Sequence, residues 1–172
     1  MSISPLAGKR VAILITNGFL ETQLVHLQKS LTALGAKTHL VSKDMGLING
    51  WSGEAWGLSY SVDAIWRETL AVDYDLMVVP HGENHTKVLS TDSHAKRIMS
   101  AFIREDAPVL LIGSGISLAA SLDLINADHD SMGETVVRHD HVVLAGHHAQ
   151  IDEMIDKLAE SVSNANVAET AA

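Results

Sequence analysis

The chain has 172 residues, of which 47% are hydrophobic and 19% charged, with no cysteine and a formal net charge of −9. That length supports one domain with a real core. The acidic balance excludes the clustered Lys and Arg that nucleic-acid binding requires, and zero Cys removes disulfides, thiolate metal sites and thiol nucleophiles together.

Met1 to Gly8 contains no long apolar stretch of the secretory kind, and no apolar run approaches the ~20 residues that span a bilayer. A cytoplasmic chain without membrane contact is the expectation. The segment Lys9–Thr16 reads as a buried strand, β-branched and apolar, closed by Asn17-Gly18. Leu20, Leu24, Leu27, Leu31 and Leu34 then recur at spacings of four, three, four and three, one apolar stripe on a helix that Gly35 stops. Thr38–Ser42 is a second strand, and strand–helix–strand predicts a right-handed parallel unit.

From Met45 to Tyr60 four glycines interrupt the pattern, with Trp51 and Trp56 between them. This is a hairpin or irregular excursion, and its tryptophans either shelve a ligand or cover the core or a subunit contact. Asp63–Leu70 reads as a short helix, Tyr74–Pro80 as the third main strand, and Asp92–Arg104 as a helix with Ala95, Ile98, Met99 and Phe102 inward. Pro108–Ala120 is a fully apolar strand, a Gly-rich turn at Gly113 and Gly115, and the start of a helix reaching about Ile125. Thr135–Arg138 and Val142–Ala145 form a hairpin, and Ile151, Met154, Ile155, Leu158 and Val162 mark a last amphipathic helix. These elements predict a single α/β domain over residues 1–163, with 164–172 a frayed polar tail.

The strand–turn–helix at Pro108–Ala120 is the kind of junction that holds a nucleophile at the carboxyl edge of a sheet. Its apex is Gly113, which offers no reactive atom. Ser114 stands one residue beyond, and a Gly-x-Ser-x-Gly elbow would need glycine where Ile112 stands. Unless a base activates its hydroxyl, Ser114 is a helix-start residue bonding a backbone N–H. Ten histidines offer other chemistry. His81 and His85 flank the stretch Gly82–Asn84, read as a loop beside the elbow. His139, His141, His147 and His148 gather near the last hairpin. Their spacing matches no zinc motif, so no metal or cofactor is assigned, and His81 is the best acid–base candidate.

Three features together resemble the ThiJ/PfpI superfamily: the Phe19-Leu20-Glu21-Thr22 turn, the Val79-Pro80-His81-Gly82 strand end and the Pro108–Ala119 elbow. The resemblance covers roughly Lys9 to Glu160. It implies a flavodoxin-like, doubly wound, mostly parallel sheet with helices on both faces and a small antiparallel hairpin. The family includes proteases, glyoxalases or deglycases, and stress proteins. Its elbow usually reads Ala-Ile-Cys-His-Gly-Pro, where this chain has Ile112, Gly113, Ser114, Gly115 and Ile116. Its first turn usually reads Phe-Glu-Glu-x-Glu, where this chain keeps Glu21 but has Leu20 and Gln23. Its Pro-Gly-Gly is Pro80-His81-Gly82, and the stretch from Ala127 to Glu134 is shortened.

Loss of the Cys together with its carboxylate partner implies that the family's thiolate chemistry has been abandoned. The expectation is a non-catalytic homo-oligomer of stress-related, regulatory or ligand-binding type. In lacking the Cys it resembles the carboxyl-terminal domain of large-subunit catalases. Gly82, Gly113, Ser114 and Gly115 are expected to hold a small anion on backbone N–H groups at a helix N-terminus. The alternative is a protease- or amidase-like hydrolase, or a glyoxalase- or deglycase-type enzyme, that uses Ser114, His81 or Glu21.

Overall fold

A computed structural model describes the backbone of residues 4–126 and 131–171, and the side chains of 4–126 and 131–163. The elements run β1 (Arg10–Leu14), β2 (Phe19–Leu20), α1 (Glu21–Ala33), β3 (Lys37–Ser42), β4 (Leu47–Trp51), β5 (Trp56–Ser61), β6 (Ala64–Ile65), β7 (Leu76–Val79) and α2 (Glu83–Thr91). The chain continues with α3 (Ser93–Arg104), β8 (Val109–Ile112), α4 (Ser114–Ser121), β9 (Val136–His139), β10 (Val142–Ala145) and α5 (Ile151–Ala171).

Seven strands form one sheet in the order β6-β3-β1-β7-β8-β10-β9. All its pairings are parallel except β10 with β9. Strands this apolar need cover on both faces, and alternate residues divide between two cores. Val11, Ile13, Leu76, Val78, Leu110, Ile112 and Val143 face α1 and α5 through Leu24, Leu27, Leu31, Met154, Ile155 and Leu158. Ala12, Leu14, Met77, Val79, Leu111 and Leu144 face α3 and α4 through Ala95, Ile98, Met99, Phe102, Ile116 and Ala119. The flavodoxin-like, doubly wound architecture expected from the sequence is therefore present. A separate three-stranded sheet, β2-β4-β5, realises the expected excursion as a hairpin docked on the β2 turn.

The structure corrects three boundaries. Asp63–Leu70 is not a helix. Ala64 and Ile65 pair with Val41 and Ser42, a short 3-10 turn follows at Trp66–Glu68, and the Trp66 indole N–H donates to the Val41 carbonyl at 2.8 Å. Adjacent apolar residues such as Ile65 and Trp66 make no helical stripe. The stretch after Gly82 is not a loop but α2, whose polar residues hid its period, and His85 is buried in its first turn. Helix α4 ends at Ser121 rather than near Ile125, because the chain turns through Asp123 at φ +58°. The α5 backbone runs from Ile151 to Ala171, and the stretch 164–171 lacks Gly and Pro and is rich in alanine, the best helix former. The shortened stretch from Ala127 to Glu134 lies partly outside the described residues. No helix among the described residues is long and apolar enough to cross a membrane.

Candidate functional site

Of the main parallel strands, β1 is followed in space by β3 on one side and β7 on the other. The winding reverses there, and in such sheets ligands bind beyond the carboxyl ends of the strands at the reversal. A cavity of about 270 Å³ opens at that place, lined by Leu20, Trp51, His81, Gly82, Glu83 and His147 among others.

The elbow forms the floor beside it. Strand β8 is fully buried, Gly113 turns at φ +56° and ψ −118°, and α4 starts at Ser114. A side chain at position 113 would be strained in that conformation. It would also have no room, because its Cβ would fall on the His81 imidazole, onto Nδ1 and within 2.7 Å of Cγ. His81, from the end of β7, thus fills the space where a nucleophile at position 113 would stand.

The two strand ends are laced by reciprocal hydrogen bonds. The Ser114 backbone N–H donates to His81 Nδ1 at 3.0 Å, and the Gly82 N–H donates to Ser114 Oγ at 3.0 Å. Because a backbone N–H can only donate, Nδ1 accepts, and the neutral ring carries its proton on Nε2. Gln23, 5% exposed, accepts the His81 N–H through Oε1 at 2.7 Å, and the Leu20 N–H donates to the His81 carbonyl. The Gly113 N–H donates to the Ala145 carbonyl at 2.9 Å. Of the four residues expected to hold an anion, Gly82, Gly113 and Ser114 already give their N–H groups to acceptors within the chain. Gly115, the fourth, lets α4 pack on β7, since a Cβ there would come within 2.9 Å of the Val79 carbonyl.

His81 stacks on His147 with ring centroids 3.9 Å apart and planes 25° from parallel, and His148 tilts against His147 at 4.4 Å. Burial pushes His81 down to about 4, helped by repulsion from His147 and His148. Burial also holds His147 below the usual imidazole range, again with His148 adding to the effect. Behind them His85 is fully buried and is pushed down to about 4, mainly by burial. Its bond to the Pro80 carbonyl at 2.6 Å opposes that shift, so Nε2 must be the protonated nitrogen. These rings are stacked rather than converging their nitrogens. Among the described residues no group of three His, Asp or Glu is placed to hold a metal.

The sequence candidates therefore separate. His81, Gly82, Gly113, Ser114 and Gly115 come together. Ser114 Oγ accepts from the Gly82 N–H, and the His81 Nδ1 beside it accepts from the Ser114 backbone N–H. Glu21 lies elsewhere, accepting from Tyr60 Oη at 2.9 Å and the Leu58 N–H at 3.2 Å, against Gly57 and Gly50 of the hairpin. His141 is also remote from the crevice, donating to the Ile103 carbonyl and pairing with Asp106 at 3.6 Å. Two further residues belong to the site. Gln23, which stands where the family has a carboxylate, is the member of its turn that reaches His81. His147, close in sequence to the last hairpin, lies at the carboxyl edge because it follows β10.

The comparisons agree with this geometry. The DJ-1/PfpI family profile matches residues 9–131. No curated protein matches the sequence. Among solved structures, a ThiJ/PfpI domain protein from Brachyspira murdochii is similar with TM-score 0.78 at 18% identity, covering 92% of this chain and 98% of that one. DJ-1beta of Drosophila melanogaster gives TM-score 0.75 at 16% identity, over 90% of both chains. A two-domain protein of Anabaena variabilis, with dj-1/thij/pfpi-like and ferritin-like domains, gives 0.75 at 17% identity, over 92% of this chain and 48% of that one. With its own sequence matched over residues 9–131 and its sheet superposing on those neighbours, the chain belongs to the DJ-1/PfpI family.

Proposed function

We propose that this chain is a non-catalytic DJ-1/PfpI domain that binds a small ligand in the crevice at the winding reversal. One observation carries the reading: the His81 imidazole stands where a side chain at position 113 would have to stand. Two others support it. Ser114 Oγ accepts from the Gly82 N–H while His81 Nδ1 is taken by the Ser114 backbone N–H, and the only acid kept from the family's first turn, Glu21, is bonded to Tyr60. The crevice itself stays open at about 270 Å³. We assign it a stress-related or regulatory role in the cytoplasm, as a homo-oligomer.

The test is turnover. Purified chain is assayed with dicarbonyls, chromogenic esters and peptides, beside the His81→Ala and Ser114→Ala variants. Background rates for all three proteins are expected. Turnover by the native chain that either substitution abolishes would overturn the reading in favour of a relocated hydrolase or glyoxalase site.

A further inference from the structure

The crevice has walls of several kinds. Trp51 stands on the hairpin side, Glu83 and Asn84 come from the first turn of α2, and His81 and His147 lie toward the elbow. Trp56 packs edge-on against Trp51, with centroids 5.1 Å apart and planes at 72°. Among the described residues no Lys or Arg lines the cavity. Its histidines are held neutral near pH 7 by burial, so among the described residues Glu83 is its one formal charge.

The surrounding field has the same sign, because the chain carries −9. The N–H groups of Gly113, Ser114 and Gly82 are spent on the Ala145 carbonyl, His81 and Ser114 Oγ. The N-terminal dipole of α2 is met by Glu83 in its own first turn. An aromatic wall, a carboxylate and no competing cation are the combination that retains organic cations.

We infer that the crevice binds a small organic cation, an ammonium or guanidinium compound, with Trp51 against its apolar body and Glu83 pairing its charge. The inference rests on the ligand-binding reading above and names the ligand's class. At about 270 Å³ the cavity falls just below the ~300–1,000 Å³ of drug-sized pockets, which limits the occupant to metabolite size.

Benzyltrimethylammonium is the probe, with phenylacetate and inorganic phosphate as anionic counterparts. Each is titrated into isotope-labelled protein while the Trp51 indole N–H resonance is followed, and affinities are taken by calorimetry. The cation should shift that resonance saturably. Glu83→Gln should weaken binding roughly threefold to fivefold, an exposed charge pair's worth. Trp51→Leu should weaken it roughly fivefold or more. Equal or tighter binding of either anion at the same resonances overturns the cation inference and leaves the ligand-binding reading standing. No saturable shift with any probe overturns the inference and removes its support from that reading. Dicarbonyl turnover in the separate assay sinks the non-catalytic assignment without touching the cation.

Discussion

Two neighbouring junctions at the carboxyl edge of the sheet have the same plan and opposite contents. Strand β7 ends at Val79 and reaches α2 through Pro80, His81 and Gly82, while β8 ends at Ile112 and reaches α4 through Gly113 alone. Both glycines sit immediately before their helix with positive φ, +151° and +56°. The first junction has a large side chain just before its glycine, and the second has none at its apex. The His81 ring takes up the space above Gly113, and Ser114 returns its hydroxyl to Gly82. A close-packed interior leaves no empty space beside a glycine, and here the neighbouring ring fills it. The two junctions brace each other as a strut between two helix starts.

The largest effect should come from forcing a side chain back onto the apex. Gly113→Ala places a Cβ on the His81 ring and imposes a backbone conformation that L-residues avoid. A loss of roughly 2–4 kcal/mol in urea unfolding at neutral pH is expected. Combining it with His81→Gly should recover at least about 1 kcal/mol relative to the sum of the single changes. Strict additivity would mean that the ring and the apex do not compete for one space.

Acid comes next, because both histidines of the first junction are held neutral. Their folded values near 4 lie below the ordinary 6.5, so the unfolded chain binds more protons between those limits. Stability is then full above about pH 6.5 and falls as pH drops toward 4. The fully buried His85 alone accounts for about 3 kcal/mol over that window. Urea midpoints at pH 7.5, 6 and 5 should fall in that order, and a flat profile would show that the rings are solvated.

Periodicity was enough to read the sheet and its two faces, because strands buried on both sides must be apolar throughout and core-facing helices must carry a stripe. Helix α2 escaped for the converse reason: only Val88 and Leu89 are apolar among its nine residues. Within the site, Gly113, Ser114 and His81 were legible as neighbours from their place after adjacent strands. That the His81 ring would enter the elbow was not, because it depends on a side-chain direction that no spacing encodes. The same limit made Glu21 look like the surviving acid and Gln23 like a loss. The two residues are two positions apart on α1, about 200° around the helix, and only one of them can face His81. A glutamine has the length of a glutamate and an amide oxygen able to accept the same N–H, so sequence alone gave no reason to set it aside.

The division between Glu21 and Gln23 yields the smallest and most specific effect. Tyr60 is pushed up to about 12, by burial first, then by the hydrogen bond to Glu21 and by its charge. Glu21→Gln keeps an oxygen able to accept from Tyr60 Oη but removes the charge that opposes a phenolate. The ultraviolet titration of Tyr60 should therefore move partway back toward the ordinary 10, the burial contribution staying in place. Tyr74, which meets Arg10 and His39 at the other end of the sheet, serves as an internal control that does not move. The raised phenol also means that stability is lost as pH rises from about 10 to 12, since the unfolded chain gives up that proton first. The variant should lose it over a narrower window, at a cost near neutrality of only about 0.5–1 kcal/mol. A Tyr60 titration unmoved by the substitution would free Glu21 from the hairpin and restore it as a candidate acid for the crevice. A shifted one leaves the elbow's space to His81 and Gln23.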